Sequence, residues 1–529
     1  MDIRRHKLVY SEVQEAGILL NQKRETYKAG AVKLMAAAFI VRILGFVNRI
    51  YMSNILGAEG MGLFQLASPV YSLIILTLTS GVSISVSGMT AQERARGRNA
   101  NALRVCKTAF VVLLVAGAVC GILLAVFGKT IAEEILNDGR AYYSLIMLAP
   151  CIPIVASASA IKGYFYGSSH VTPTALSQIA EQIVRIAVIF FVANRIAGSN
   201  LAYACAIATT SAAFGEMANL IVVGIAFRRE KSKEAPTLTR KAAAKTILKY
   251  SMPISLNRLA ISFMGMVETV LLPMRFIAGG LDYKSGIETL GRISGMAMPL
   301  IAFPTLITSS VATTLVPAIS EAISVKNYKL ANLRISRCLN MGFLLGFIFF
   351  GLYFSLGDFA GELLYPGQGV GVILAQLSYC CIFMYVEQIM AGIINGLGKQ
   401  GLSLATSTVG YLITIGFIWF GVPQMGIRAY ILGSILSMAA TVFLNLCIVI
   451  KTTGLAVNLR DWILKPSVIA AGCILVGKVM LSIPIQNRFL SFFVCGCACC
   501  LTVLLLVATM FRNLKWGDLF WRKMQTRKS

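Results

Sequence analysis

The stretch FIVRILGFVNRIYMSNILGAEGMG, residues 39–62, is apolar enough to cross a bilayer, yet it carries Arg42 and Arg49. A charge facing hydrocarbon at mid-bilayer costs ~2.5–3.5 kcal/mol or more. A guanidinium held there therefore needs a water-accessible cavity or a partner. The two arginines are two helical turns apart, so they share one face, with Gly45 between them. If the span starts near residue 31, Arg42 lies ~16 Å into it and Arg49 ~27 Å, at 1.5 Å per residue. Arg42 is then near the membrane centre, whereas Arg49 is close enough to the far interface to snorkel.

The rest of the chain repeats the pattern of that stretch. Of 529 residues, 57% are hydrophobic and only 13% are charged, about half the charged share of a soluble domain. The mean hydropathy is +0.76. Apolar runs near the ~20 residues needed to span hydrocarbon recur from residue 31 to residue 512. Segments ending in Gly, Pro or charge separate them, such as "GKTIAEEILNDGR" and "LYPGQG". The pattern predicts an all-α polytopic membrane protein with about 14 transmembrane helices. No stretch alternates as a membrane β-barrel strand would.

The formal net charge of +26 could suggest nucleic acid, but its placement argues for a membrane topology without a nucleic-acid partner. Cations cluster before the first span, between spans 2 and 3, between spans 6 and 7 (Arg228 to Lys249), between spans 8 and 9, and in the tail after residue 512. All five groups fall on one side if every span crosses. The positive-inside rule then makes the chain a multi-pass protein of the cell membrane with both termini cytoplasmic. Residues 1–30 are polar and run straight into the first span, so no removable signal peptide is expected.

Enzymatic motifs are missing. The two histidines, His6 and His170, cannot build a metal cluster. HExxH, Walker A and GxSxG do not occur. The match GLGKQG (Gly396, Gly398, Gly401) ends a membrane span rather than following a strand, so it reads as a turn, not a dinucleotide site. Cysteines lie mostly within spans; Cys495 and Cys499 share a helical face, which admits either soft-metal binding or small buried hydrophobes. The chain is read as a non-enzyme with no metal and no cofactor, and its coupling ion stays open.

Short features recur at matched offsets. GYFYG (Gly163, Gly167) and GIING (Gly392, Gly396) end spans 4 and 10, with 392 − 163 = 229. Pro69 in span 2 and Pro299 in span 8 differ by 230. These offsets predict two parallel six-helix repeats plus two C-terminal helices. The expected segments are a cytoplasmic extension (1–30), a first bundle (31–228), a basic linker (229–244), a second bundle (245–451), two further helices (452–512) and a basic tail (513–529). Transporters built from such repeats bind substrate between the halves and alternate access by rocking. Pro69, Pro253, Pro299 and Pro304 are candidate hinges, since each removes a helix hydrogen bond; purely structural kinks are the alternative.

Other polar side chains within spans extend the candidate site. Asn48 adjoins Arg49, Arg258 sits deep in span 7, and its neighbour Asn257 shares a face with Glu268. In span 5, "QIAEQIVR" places Gln178, Glu181, Gln182 and Arg185 on one face. That stripe either contacts substrate or forms an internal Glu181–Arg185 pair that braces the bundle. Cations within spans 1 and 7 suit an anion, and guanidinium suits phosphate because its planar fork binds bidentately.

"RILGFVNR", followed by "ILGAEGMGLFQLASPVYSLIILTLTSGVSISVSG", resembles the stage V sporulation protein B family, as do "SQIAEQIVR" and "TTLVPAISEA". That family belongs to the multidrug/oligosaccharidyl-lipid/polysaccharide exporter superfamily. MurJ-type lipid II flippases of the superfamily carry a similar RxLGFxR start to span 1. Arg42 matches its first arginine, used near the substrate pyrophosphate; the second falls on Asn48, with Arg49 one residue later. The resemblance implies fourteen helices and outward flipping of an undecaprenyl-pyrophosphate-linked saccharide, a peptidoglycan precursor for the spore cortex. Cell-wall synthesis enzymes are the implied protein partners. A drug or cation antiporter of the same superfamily is the alternative function.

Overall fold

The computed structural model describes residues 36–192, 200–232, 234–483 and 490–510. Among them the chain is helical throughout, with no strand. This follows from the bilayer, where backbone polar groups must be satisfied within the segment itself. We name the elements α1 (Ala36–Ala95), α2 (Asn99–Ile135), α3 (Ala141–Gly167), α4 (Thr172–Val192), α5 (Leu201–Arg229) and α6 (Arg240–Ala278). There follow α7 (Tyr283–Leu290), α8 (Thr305–Ser324), α9 (Tyr328–Leu364), α10 (Val370–Leu377) and α11 (Cys380–Gly396). The chain continues with α12 (Gln400–Met425), α13 (Ile427–Thr453), α14 (Arg460–Leu481) and α15 (Leu490–Met510).

Twelve of these helices are long and apolar enough to cross a membrane, and thirteen spans result if α10 and α11, bent by 55°, form one. This count is one short of the fourteen expected from sequence, because expected spans 1 and 2 lie in a single element. Both fall within α1, which counts once although two helical segments meet in it at a kink. The helix breaks only at Gly57, whose φ of 67° and ψ of −174° leave the helical region, a conformation that glycine adopts without a Cβ clash. Expected span 8 is interrupted between Gly291 and Pro304; α8 still qualifies by itself, so this interruption leaves the count unchanged.

The described residues divide into two compact units, 36–48 with 70–262, and 49–69 with 263–510. In the first unit the core packs α2 and α3 through Cys106, Ala109, Leu113, Ala156, Ala160 and Phe165, all 2% exposed or less. In the second, α9, α11 and α13 meet around Leu339, Ile389, Ile393 and Val449, with Trp462 stacked on Phe343. A satellite core joins α14 and α15 through Cys473, Cys495 and Cys499; these thiols sit among apolar side chains as small hydrophobes do.

Close helix contacts carry the repeat. A Cβ at Gly163 would lie 2.7 Å from the Ser83 carbonyl oxygen, and one at Gly167 would overlap the Ser87 carbonyl. In the other unit a Cβ at Gly392 would lie 2.8 Å from the Ala312 carbonyl, and one at Gly396 3.0 Å from that of Val316. Glycines and partners share one offset: 392 − 163, 396 − 167, 312 − 83 and 316 − 87 are all 229. Gly117 against Pro153 and Gly346 against Ile382 follow the same rule, since 346 − 117 and 382 − 153 equal 229.

One contact inside the second unit is reciprocal. Gly62 packs on the Ile287 carbonyl and Gly291 on the Ala58 carbonyl, where 287 − 58 and 291 − 62 are again 229. Residue i meeting j while the equivalent of j meets the equivalent of i is the mark of a two-fold axis. Here that axis relates two segments of one chain.

Candidate functional site

In the first unit, α1 carries Arg42, Gly45 and Asn48 at three-residue steps. Gly45 leaves room for α4: a Cβ there would lie 3.5 Å from Gln182 Oε1. Arg42 is exposed, whereas Asn48 is 7% exposed. Asn48 Oδ1 and Gln182 Oε1 are buried and make no hydrogen bond among the described residues.

The α4 stripe closes into a charged network with α5. Arg185 Nη2 stands 2.8 Å from Glu181 Oε1 and 3.7 Å from Glu216 Oε1. Asn219 Nδ2 donates to Glu181 Oε2 at 2.6 Å, and Gln182 Nε2 to Glu181 Oε1 at 3.4 Å. Gly215 allows this approach, because a Cβ there would come 2.9 Å from the Glu181 carbonyl oxygen. Lys162 of α3 lies within electrostatic reach of Glu216, so two cations balance two carboxylates. The Glu181–Arg185 pair is thus formed, while Gln178 makes no hydrogen bond among the described residues. Arg258 and Pro253 on α6 are exposed; Asn257 is half-buried, with Oδ1 unsatisfied.

In the second unit Arg49 has a different environment. Its Nε donates to the Gly295 carbonyl at 2.9 Å and its Nη2 to that of Ser294 at 2.9 Å. Gln65 Nε2 donates to Ser294 O at 3.0 Å. These carbonyls belong to a π-helical stretch, Gly291–Ala297, followed by Pro299. Proline has no N–H, so Gly295 O loses its i+4 donor and Ser294 O the i+5 donor of the π register. Arg49 and Gln65 supply what Pro299 removes.

Other long-range donors reach carbonyls along the break, including that of Leu300, which also accepts from Phe303 N–H at 3.2 Å. Tyr353 Oη donates at 2.8 Å to Leu300 O, whose i+4 position is Pro304; Tyr385 Oη donates at 2.8 Å to Ile301 O, and Tyr365 Oη at 3.5 Å to Met296 O. Pro299 and Pro304 therefore flank a helix interruption held by long-range side chains, whereas Pro69 lies inside continuous helix. Elsewhere in this unit Tyr430 Oη donates to Glu268 Oε1 at 3.4 Å. Tyr411 lies within electrostatic reach of both Glu268 and Glu387.

Sequence reasoning missed Glu216, Asn219, Gln65, Glu387 and the tyrosines. An ionisable residue within a span is by default a functional candidate, and that rule alone would have found Glu216 and Glu387. Gln65 and the tyrosines carry no such signal.

Residues 28–323 match the model of a family described as polysaccharide biosynthesis protein. Stage V sporulation protein B of Bacillus subtilis (strain 168) is 26% identical over 454 residues, covering 84% of this chain and 88% of that one. Lipid II flippase MurJ of the same organism is 26% identical over 412 residues, covering 73% and 75%. Among solved structures, lipid II flippase MurJ in an inward closed conformation superposes with a TM-score of 0.68 at 14% identity, covering 91% of this chain and 99% of that one. An inward-facing multidrug resistance MATE family transporter superposes with a TM-score of 0.63 at 14% identity, covering 80% and 98%.

Proposed function

Because this chain belongs to the polysaccharide biosynthesis protein family, we propose that it is a flippase for an undecaprenyl-pyrophosphate-linked saccharide, a peptidoglycan precursor, working by alternating access in the cell membrane. The observation that carries this reading is the exposure of two guanidiniums, Arg42 and Arg258, inside spanning helices. Exposure to lipid would cost each ~2.5–3.5 kcal/mol or more; exposure to a hydrated cavity that receives a pyrophosphate removes that cost. Arg42 and Arg258 bind the phosphates, with Asn48 and Asn257 presenting neutral polar atoms beside them. The Glu181–Arg185 network braces the site.

The testing experiment is movement of labelled lipid II by purified protein in vesicles. Arg42→Ala should yield folded protein that no longer moves the lipid, and Arg42→Lys should restore only part of the rate, since an ammonium loses the bidentate geometry. Wild-type transport by well-folded Arg42→Ala would end the phosphate assignment. The carboxylates Glu268 and Glu387 favour a second reading, a drug or cation antiporter. Ion-driven uptake of a cationic dye with no lipid movement would establish it.

A further inference from the structure

We infer that the first unit holds a second lipid site, a crevice that binds an anionic diacyl phospholipid by both phosphate and acyl chain. The crevice lies among α2, α3, α5 and α6 and encloses about 1000 Å³, at the upper end of the ~300–1,000 Å³ of small-molecule sites. Its walls include Val111, Ile221 and Ile225, which are 50–56% exposed. Its rim carries Lys107, Arg228, Arg240 and Lys241, and no carboxylate lines it.

The chemistry of the rim is one-sided. Among the described residues none of these four cations has an ion-pair partner, while the nearby acids are engaged elsewhere: Glu93 with Arg96 and Asn101, Glu230 with Tyr164 and His170. Arg240 and Lys241 open α6, whose first turn has no acidic residue. A helix N-terminus repels cations, so helix stability does not explain their placement. A phosphate between the rims of α2, α5 and α6 does, and basic crevices between transmembrane helices recognise anionic headgroups in this way.

Gly224 points to the acyl chain. It sits inside α5 on the crevice wall, and a Cβ there would meet nothing within 4 Å. Glycine inside a helix costs ~1 kcal/mol relative to alanine, and here no neighbour requires its small size. Its effect is to leave open space along the crevice wall.

Native mass spectrometry of the full chain in mixed micelles tests this, with dioleoyl phosphatidylglycerol and dioleoyl phosphatidylcholine as probes. Phosphatidylglycerol should bind more tightly than phosphatidylcholine. Lys107→Gln with Lys241→Gln should weaken phosphatidylglycerol binding roughly thirty-fold, the effect of removing two interfacial cations. Lys326→Gln with Lys329→Gln, equal in charge but outside the crevice, should leave it unchanged. Gly224→Phe should weaken both lipids about tenfold by filling the acyl-chain space, and Gly224→Leu should act in the same direction if the phenylalanine variant does not fold. Equal affinity for the two lipids, equal losses in the two double lysine variants, or full phosphatidylglycerol affinity in the folded Gly224 variants would each overturn the site. Displacement of phosphatidylglycerol by equimolar inorganic phosphate would overturn it as well, leaving an anion site without a lipid.

Discussion

Replacing Arg49 with methionine should destabilise the protein by about 1–3 kcal/mol, and the loss should depend on a proline 250 residues away. Arg49 makes two hydrogen bonds of 2.9 Å to the carbonyls of Gly295 and Ser294. Hydrogen bonds between membrane helices average ~0.6 kcal/mol and reach ~1.7, so two contribute roughly 1.2–3.4 kcal/mol. Arg49→Met leaves Gln65 on Ser294 but removes the side-chain donor from Gly295. Pro299→Ala returns a backbone N–H to the break, so Arg49→Met should cost less in that background. The assay is reversible unfolding in mixed micelles, followed by circular dichroism, on the wild type, the two single variants and the double variant. A coupling energy of at least ~1 kcal/mol is expected. Additivity within ~0.3–0.5 kcal/mol, the range for independent sites, would show that Arg49 does not serve the carbonyls orphaned by Pro299.

Gly291→Ala should destabilise by ~1–3 kcal/mol, because its Cβ would overlap the Ala58 carbonyl, whereas Gly224→Ala should stabilise by up to ~1 kcal/mol; the same unfolding assay reads both. Arg185→Met should lower folded yield by stranding Glu181 and Glu216, at a cost of ~3–5 kcal/mol, and Glu181→Met with Arg185→Met should recover much of it. In a background without native cysteines, Ser232→Cys should resist an impermeant maleimide in intact cells, since the cations around it favour the cytoplasmic side; labelling before lysis would reverse the orientation.

Much of this protein was legible in the sequence because a bilayer permits so few backbone solutions. Apolar runs of sufficient length must be helices there, and the helices α2 to α6 and α8 to α15 fall where those runs were read. The glycines at 163, 167, 392 and 396 also disclosed the repeat, since close helix approach leaves a residue-type mark that needs no partner to be visible. The Glu181–Arg185 pair was readable for the same reason: its members are one turn apart on a single helix.

The tertiary structure decided what lies across helices. Arg42 and Arg49 look alike in sequence, yet one is exposed and the other is spent on carbonyls more than 240 residues away. Glu216 and Asn219 join the α4 stripe only because Gly215 lets α5 approach it. The interruption of expected span 8 shows the limit most clearly. Prolines announce that hydrogen bonds are missing, but an orphaned carbonyl within a membrane is tolerable only if some donor reaches it. Which donor does so, here Arg49 and Gln65, depends on helix packing in three dimensions, and residue order does not encode that locally.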